Sequence, residues 1–282
     1  MTERTPATSL IAALDTPWRF LRTEFSSWAP PAFGIAAIGI IPGLLTAWAN
    51  ANLQMDPGAE PNFAALAGVY AGACSTGFVS IALMFGAFTI VYRIVEGQPV
   101  GILDVLMGAF SPRMLLAGGV AMGLVFVGFG CVVGGPLVAA VFGFVPAVLV
   151  STPGRWFGGW ITSVELASRR VGPKDAGAPA WKLAAIYAVW YALMSAMNQF
   201  VVIPNFGWMI WHLVTTLGAG DVQAALQLQP PFPVGAATAL LGALFKPFAD
   251  VYLAAGTLLL LRDLARVRRG ADLEALVEAG AP

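Results

Sequence analysis

The sequence predicts an all-α, polytopic membrane protein with six transmembrane helices and amphipathic helices on the cytoplasmic surface. Composition is the first reason: 58% of the 282 residues are hydrophobic and only 11% charged, where a soluble domain carries about 25% charged residues. The second is the recurrence of apolar runs near the roughly 20 residues that cross a bilayer. The third is the placement of the basic residues, which alternates with those runs.

The N-terminal segment comes first. Leu10, Leu14, Trp18, Leu21, Phe25 and Trp28 recur at spacings of three and four, with Arg19, Arg22 and Glu24 on other faces. This pattern predicts an amphipathic helix over 8–28 lying in the headgroup plane. Asp15-Thr16-Pro17 reads as a cap and restart within it, since proline suits a first helical turn. Residues 1–30 lack the apolar core and A-x-A site of a secretory signal peptide, so retention of the N-terminus is expected. Span one covers 31–48. Span two covers 64–91 and is long enough to tilt or protrude. In the following connection Ile102, Val105, Leu106 and Phe110 form a second short amphipathic face.

Span three covers 114–133, Gly134-Gly135-Pro136 reads as a tight turn, and span four covers 137–150. A third amphipathic helix follows, with Trp156, Trp160, Val164 and Ala167 on one face and Glu165 four residues before Arg169. Span five covers 183–203. Its continuation FGWMIWHLVTTL suggests a short helix at the outer surface or a re-entrant piece. Gln229 to Pro233 is an extended linker, and span six covers 234–261. A last short helix, ADLEALVEA, is expected in the tail. The chain thus reads as one transmembrane domain over 1–282: an interfacial N-terminal helix over 1–29, a six-span bundle over 31–261 and a cytoplasmic tail over 262–282. Three times an amphipathic helix leads into a pair of spans, over roughly 8–91, 101–150 and 156–261, which suggests a three-fold repeat.

Every one of the 15 lysines and arginines except Lys246 falls on one side of these six spans. Cytoplasmic loops carry the excess of Lys and Arg, so both termini are expected in the cytoplasm. Trp18, Trp28, Trp156, Trp160 and Trp181 are expected as anchors at the inner interface, with Trp48, Trp208 and Trp211 at the outer one.

Few residues suggest chemistry. Lys246 and Asp250 lie inside span six, where a charge costs about 2.5–3.5 kcal/mol on insertion scales. At a spacing of four they can neutralise each other, and Pro247 between them removes a backbone donor. The pair suits a substrate or proton site and equally an inward-facing structural ion pair. Asn198 and Gln199 join them as a candidate intramembrane polar site; with Ser195, they also suit hydrogen bonding between helices. Glycine pairs four apart, such as Gly39/Gly43 and Gly119/Gly123, suit close helix packing within one chain or in a homo-oligomer. Cys74 and Cys131 lack CxxC spacing, although both fall in outer halves of spans. One histidine, His212, argues against a histidine metal cage within one chain. No catalytic motif, cofactor motif or metal motif is present.

The C-terminal run LLLLRDLARVRRGADLEALVEA resembles a motif of bacterial integral membrane proteins. That group includes the membrane domain fused to some glycerophosphoryl diester phosphodiesterases and the YciC-like proteins. Asp263, Leu264, Arg266, Arg268, Arg269, Gly270, Asp272, Leu273 and Glu274 carry the resemblance. Ala265 stands where an arginine is usual and Ala271 where an aromatic is usual. The segments GQPVGILDVLMGAF and VELASRR…WKLAAIYAV also look like cytoplasmic helices of this group. The resemblance implies six spans and cytoplasmic termini and brings no catalytic residue. The expected function is therefore a non-enzymatic membrane scaffold or accessory subunit with a lipid-handling role. Its partners would be membrane lipids, other subunits of a membrane complex or further copies of itself, without nucleic acid. The alternative is a small-solute or proton-coupled transporter built on Lys246 and Asp250.

Overall fold

A computed structural model of the chain describes residues 9–53, 62–130, 134–152, 158–168, 179–222 and 229–278, with backbone alone at 130, 167–168 and 267–278. All regular structure among the described residues is helical: α1 (Leu10–Thr23), α2 (Phe25–Ala51), α3 (Phe63–Val95), α4 (Ile102–Ala109), a π-helical turn (Met114–Gly118), α5 (Gly119–Gly130), α6 (Gly134–Phe142), α7 (Val145–Ser151), α8 (Gly158–Ser168), α9 (Pro179–Val201), α10 (Ile203–Gly218) and α11 (Phe232–Glu278). Five stretches are long and apolar enough to cross a membrane: Phe25–Ala51, Phe63–Val95, Gly134–Ser151, Pro179–Gly218 and Phe232–Arg266. A sixth arises if α4 and Met114–Phe129, which meet at a 60° bend, count as one broken span. The chain has the helices of a membrane protein, five or up to six of them.

Helix α11 is the axis of the bundle. It packs against α1, α2, α3, α7, α9 and α10. Residues 249–258 are buried in an unbroken run, so every face of these turns meets protein. Small residues bring its neighbours close. A methyl group on Gly235 would lie 2.7 Å from Ala47 Cβ, and one on Gly43 2.8 Å from Ala239 Cβ. In lipid, packing of this kind substitutes for the hydrophobic driving force.

Several boundaries differ from those expected. Helix α1 runs through Pro17 without a restart. The Thr16 hydroxyl bonds the Ala12 carbonyl at 2.6 Å, and Pro17 is buried against α11 near Gly256. The helix instead ends at Thr23, so the N-terminal segment is not one helix to Trp28. Its last turn is closed by the Trp28 indole, which donates to the Leu21 carbonyl at 3.0 Å. One of the carbonyls that every helix end leaves open is thereby satisfied.

Gly134-Gly135-Pro136 is the first turn of α6 rather than a loop. Span four is broken at Gly143–Phe144, between α6 and α7. A break at membrane depth exposes backbone carbonyls that must find protein partners. Ser163 of α8 donates to the Val141 carbonyl at 2.7 Å, and Tyr187 of α9 to the Gly143 carbonyl at 2.9 Å.

Helix α9 runs on into α10 with only Val202 between them, so the segment after span five is a helix, as expected, that continues α9 rather than turning back as a re-entrant piece. At about 1.5 Å per residue these 40 residues extend about 60 Å, twice a hydrocarbon core of about 30 Å. Helix α11 likewise continues to Glu278, so the tail after Leu261 is not a separate short helix.

Candidate functional site

The site is built around the middle of α11. Lys246 lies 14 residues after Phe232 and 16 before Arg262, about 21 Å and 24 Å along the axis. Both distances are too long for its ammonium to reach a headgroup layer easily. The side chain instead donates from Nζ to Asp250 Oδ2, one turn on. Asp250 is 3% exposed, while the Lys246 side chain keeps 20% of its surface. The carboxylate is therefore sealed and the ammonium is the reachable member of the pair.

Trp190 of α9, 1% exposed, lies near the carboxylate. Its indole N–H and Asp250 Oδ1 each lack a hydrogen bond of good geometry, so their interaction acts at longer range. Phe126 and Tyr187 hold the indole edge-on, with ring centroids 5.4 Å and 6.0 Å away.

Pro247 is buried between the two charges. It has no N–H to give to the carbonyl of Ala243, one turn earlier, so the helix loses one backbone bond there. Ala243, Lys246, Pro247 and Asp250 all line a cavity of about 210 Å³ between α2, α3, α9 and α11. The remaining wall is mostly apolar: Ile35, Leu83, Met194, Met197, Phe245 and Gly242, with Gly39 and Gly43 where the helices approach. Its other polar groups are Asn198 of α9 and Thr76 and Ser80 of α3. Thr76 is exposed, so the wall reaches the surface on the α3 side. The volume exceeds the ~150 Å³ in which an apolar cavity takes up benzene. It suits one chain end or ring and is too small for a whole phospholipid.

No protein family, curated protein or solved structure matches this chain. The chemistry of the site rests on its own residues. Lys246, Asp250 and Asn198 line the same cavity. Gln199 is exposed and does not line the cavity. Sequence reasoning misses Thr76, Ser80 and Trp190. Their only signal is polar or amphipathic character within an apolar run, shared with many residues that end elsewhere.

The proposed anchors divide. Trp181 is 64% exposed and Trp18 37%, as lipid- or headgroup-facing residues would be. Trp18 rests on Tyr252 of α11 with centroids 5.0 Å apart. Trp160 is half-buried against Phe142 at 5.0 Å. Trp28 is not an interfacial anchor: it is fully buried, boxed by Phe25, Phe33 and Phe248. Trp156 lies outside the described residues. So does Cys131, while Cys74 is exposed.

Basic groups tie one end of the bundle together. Arg93 bonds Asp104 at 2.7 Å and the Pro99 carbonyl at 2.9 Å, while Arg262 reaches the Val95 carbonyl at 2.9 Å. Lys182 is buried near Asp263. Among the described residues no group of three or more His, Cys, Asp or Glu side chains comes together in a way that would hold a metal ion.

Proposed function

We propose that this chain is a non-enzymatic, lipid-handling accessory subunit or scaffold of a bacterial inner membrane, with both termini in the cytoplasm. The cavity between α2, α3, α9 and α11 carries this reading. It is largely apolar, sits midway along the central helix and has room for one chain end or ring. Such a space is filled more readily from the bilayer than from water. The orientation is supported by the gathering of Arg93, Lys182 and Arg262 at one end, since basic residues favour the cytoplasmic side. The resemblance of the C-terminal run to the phosphodiesterase-associated membrane domains supports the same orientation and a role without chemistry of its own. The long α9–α10 rod and the exposed α10 offer surfaces to a partner subunit or a second copy of the chain.

The test is the cavity itself. A methyl group on Gly242 would meet only Val201, at 3.8 Å, so a larger side chain there projects into free space. Purified in nanodiscs, the wild-type chain is expected to carry a small apolar molecule visible by native mass spectrometry, and Gly242→Leu to lose it while remaining folded. Unchanged occupancy in the variant would refute the role of the cavity.

One observation favours the second reading, a proton-coupled transporter. Asp250 is an ionisable group buried within a long apolar helix, with one oxygen lacking a well-formed hydrogen bond, and buried carboxylates in membrane spans are found at proton relays. Proteoliposomes carrying a pH dye decide between the two. Proton leak that depends on Asp250 would favour transport, and none would favour the lipid-handling role.

A further inference from the structure

The same cavity has a polar wall whose chemistry is specific, and the inference drawn from it rests on the lipid-handling reading above. We infer that it selects an apolar chain ending in a neutral oxygen acceptor, the carbonyl of an ester or ketone, over chains with charged heads.

The donors come first. An ammonium carries three N–H groups, and Lys246 gives one to Asp250 Oδ2. The side chain retains surface and lines the cavity, so its remaining donors are available there. The Asn198 amide and the Ser80 hydroxyl add donors from α9 and α3. Asp250 offers less in return. One oxygen is held by Lys246, and the other is buried away from the surface. The accessible wall is therefore richer in donors than in anionic acceptors.

Charge then narrows the ligand. Lys246 and Asp250 cancel, so the wall has donors without net charge. A carboxylate head approaching Lys246 would come beside the buried Asp250 carboxylate, and an ammonium head would come against Lys246 itself. Each places like charges together in a poorly screened site. A carbonyl oxygen accepts from Lys246 and Asn198 and asks for no counter-charge. The volume of about 210 Å³ leaves room for the carbonyl and a short stretch of chain, so the rest of a longer molecule would extend past Thr76 toward the surface.

The experiment uses the full chain in nanodiscs and four probes of equal chain length, each with a photoreactive diazirine: a methyl ester, a fatty acid, an alkylamine and an alkane. Crosslinked peptides are mapped and competition curves measured at a pH where the acid and amine are charged. The ester is expected to label α2, α9 and α11 around the cavity. The acid and amine should compete at least about tenfold more weakly, as like-charge juxtaposition demands. Asp250→Asn unmasks the Lys246 charge, so the preference should turn toward the acid. Lys246→Met with Asp250→Leu removes both charges and should make ester and alkane compete equally. The wild-type series alone decides if either variant fails to fold. Cavity labelling by all four probes with equal competition would overturn the head-group inference and leave the lipid-handling reading standing. No cavity labelling by any probe would overturn both.

Discussion

Lys246 and Asp250 are held by each other more than by anything else in the chain. The carboxylate is sealed, the ammonium is partly open to the cavity, and both lie far from either end of α11. Removing one partner strands the other, at about 3–5 kcal/mol for a buried pair, whereas replacing both with apolar residues is often neutral. Lys246→Met or Asp250→Leu alone should therefore lower the thermal midpoint of the detergent-solubilised protein, and the double variant should be milder than either. A double variant as damaged as the sum of the singles would mean that the charges act independently. Tyr187 makes a comparable bond for the backbone. Its hydroxyl is the donor to the Gly143 carbonyl at the break between α6 and α7. Tyr187→Phe should cost about 1–3 kcal/mol, the range for leaving a buried acceptor unsatisfied, as read from chemical denaturation in mild detergent.

At the scale of elements, the α6–α7 break depends on a position without a side chain. A methyl group on Gly143 would lie 2.5 Å from the Ala139 carbonyl oxygen and 2.6 Å from the Tyr187 ring. Gly143→Ala should thus destabilise by about 1–3 kcal/mol through overpacking. A methyl group on Gly119 in α5 would have nothing within 4 Å of it. Gly119→Ala should be neutral or stabilising by up to about 1 kcal/mol, the helix-propensity difference. The contrast separates a glycine required by a close approach from one that is merely tolerated, and thermal shift assays on the two variants measure it. The corner between α1 and α2 has a similar single determinant. Trp28→Ala removes both the indole donor to Leu21 and the ring against Phe248, and should lose about 3–5 kcal/mol. A loss below about 1 kcal/mol in the same assay would mean that the corner is set elsewhere.

At the scale of the whole molecule, the arrangement of charge predicts how the chain sits in a membrane. Arg93, Lys182 and Arg262 gather at one end with α4 and the start of α9. The turns near Asn62 and Asp221 carry no basic residue. Under the proposed orientation, single cysteines placed at Asn62 or Asp221 should react with an impermeant thiol reagent applied to intact cells, and one at Lys174 should not. These experiments need Cys74→Ser and Cys131→Ser as background. Labelling at Lys174 from outside would reverse or break the six-span topology. The same experiment tests whether α4 and α5 act as one broken span, since the expected even number of crossings depends on that pair.

The sequence by itself determined the all-helical class, most of the long apolar helices and the Lys246–Asp250 ion pair. Length, apolarity and charge are properties of a segment and need no partner to be read. It also placed Lys246 and Asp250 one turn apart, because helical spacing fixes that distance locally. Only the tertiary structure decided which faces meet. Helix α2 and the part of α11 before Arg262 are apolar nearly all round, so no periodicity marks the side that packs against protein. For that reason Trp28 reads like an interfacial tryptophan and is a core residue, while Gln199 reads like its neighbour Asn198 and points away from the site. The break in span four and the cavity wall from Thr76 and Ser80 were hidden for the same reason. Each exists because a side chain on another helix satisfies a carbonyl or leaves a space, and neither event leaves a trace in the sequence of the segment where it occurs.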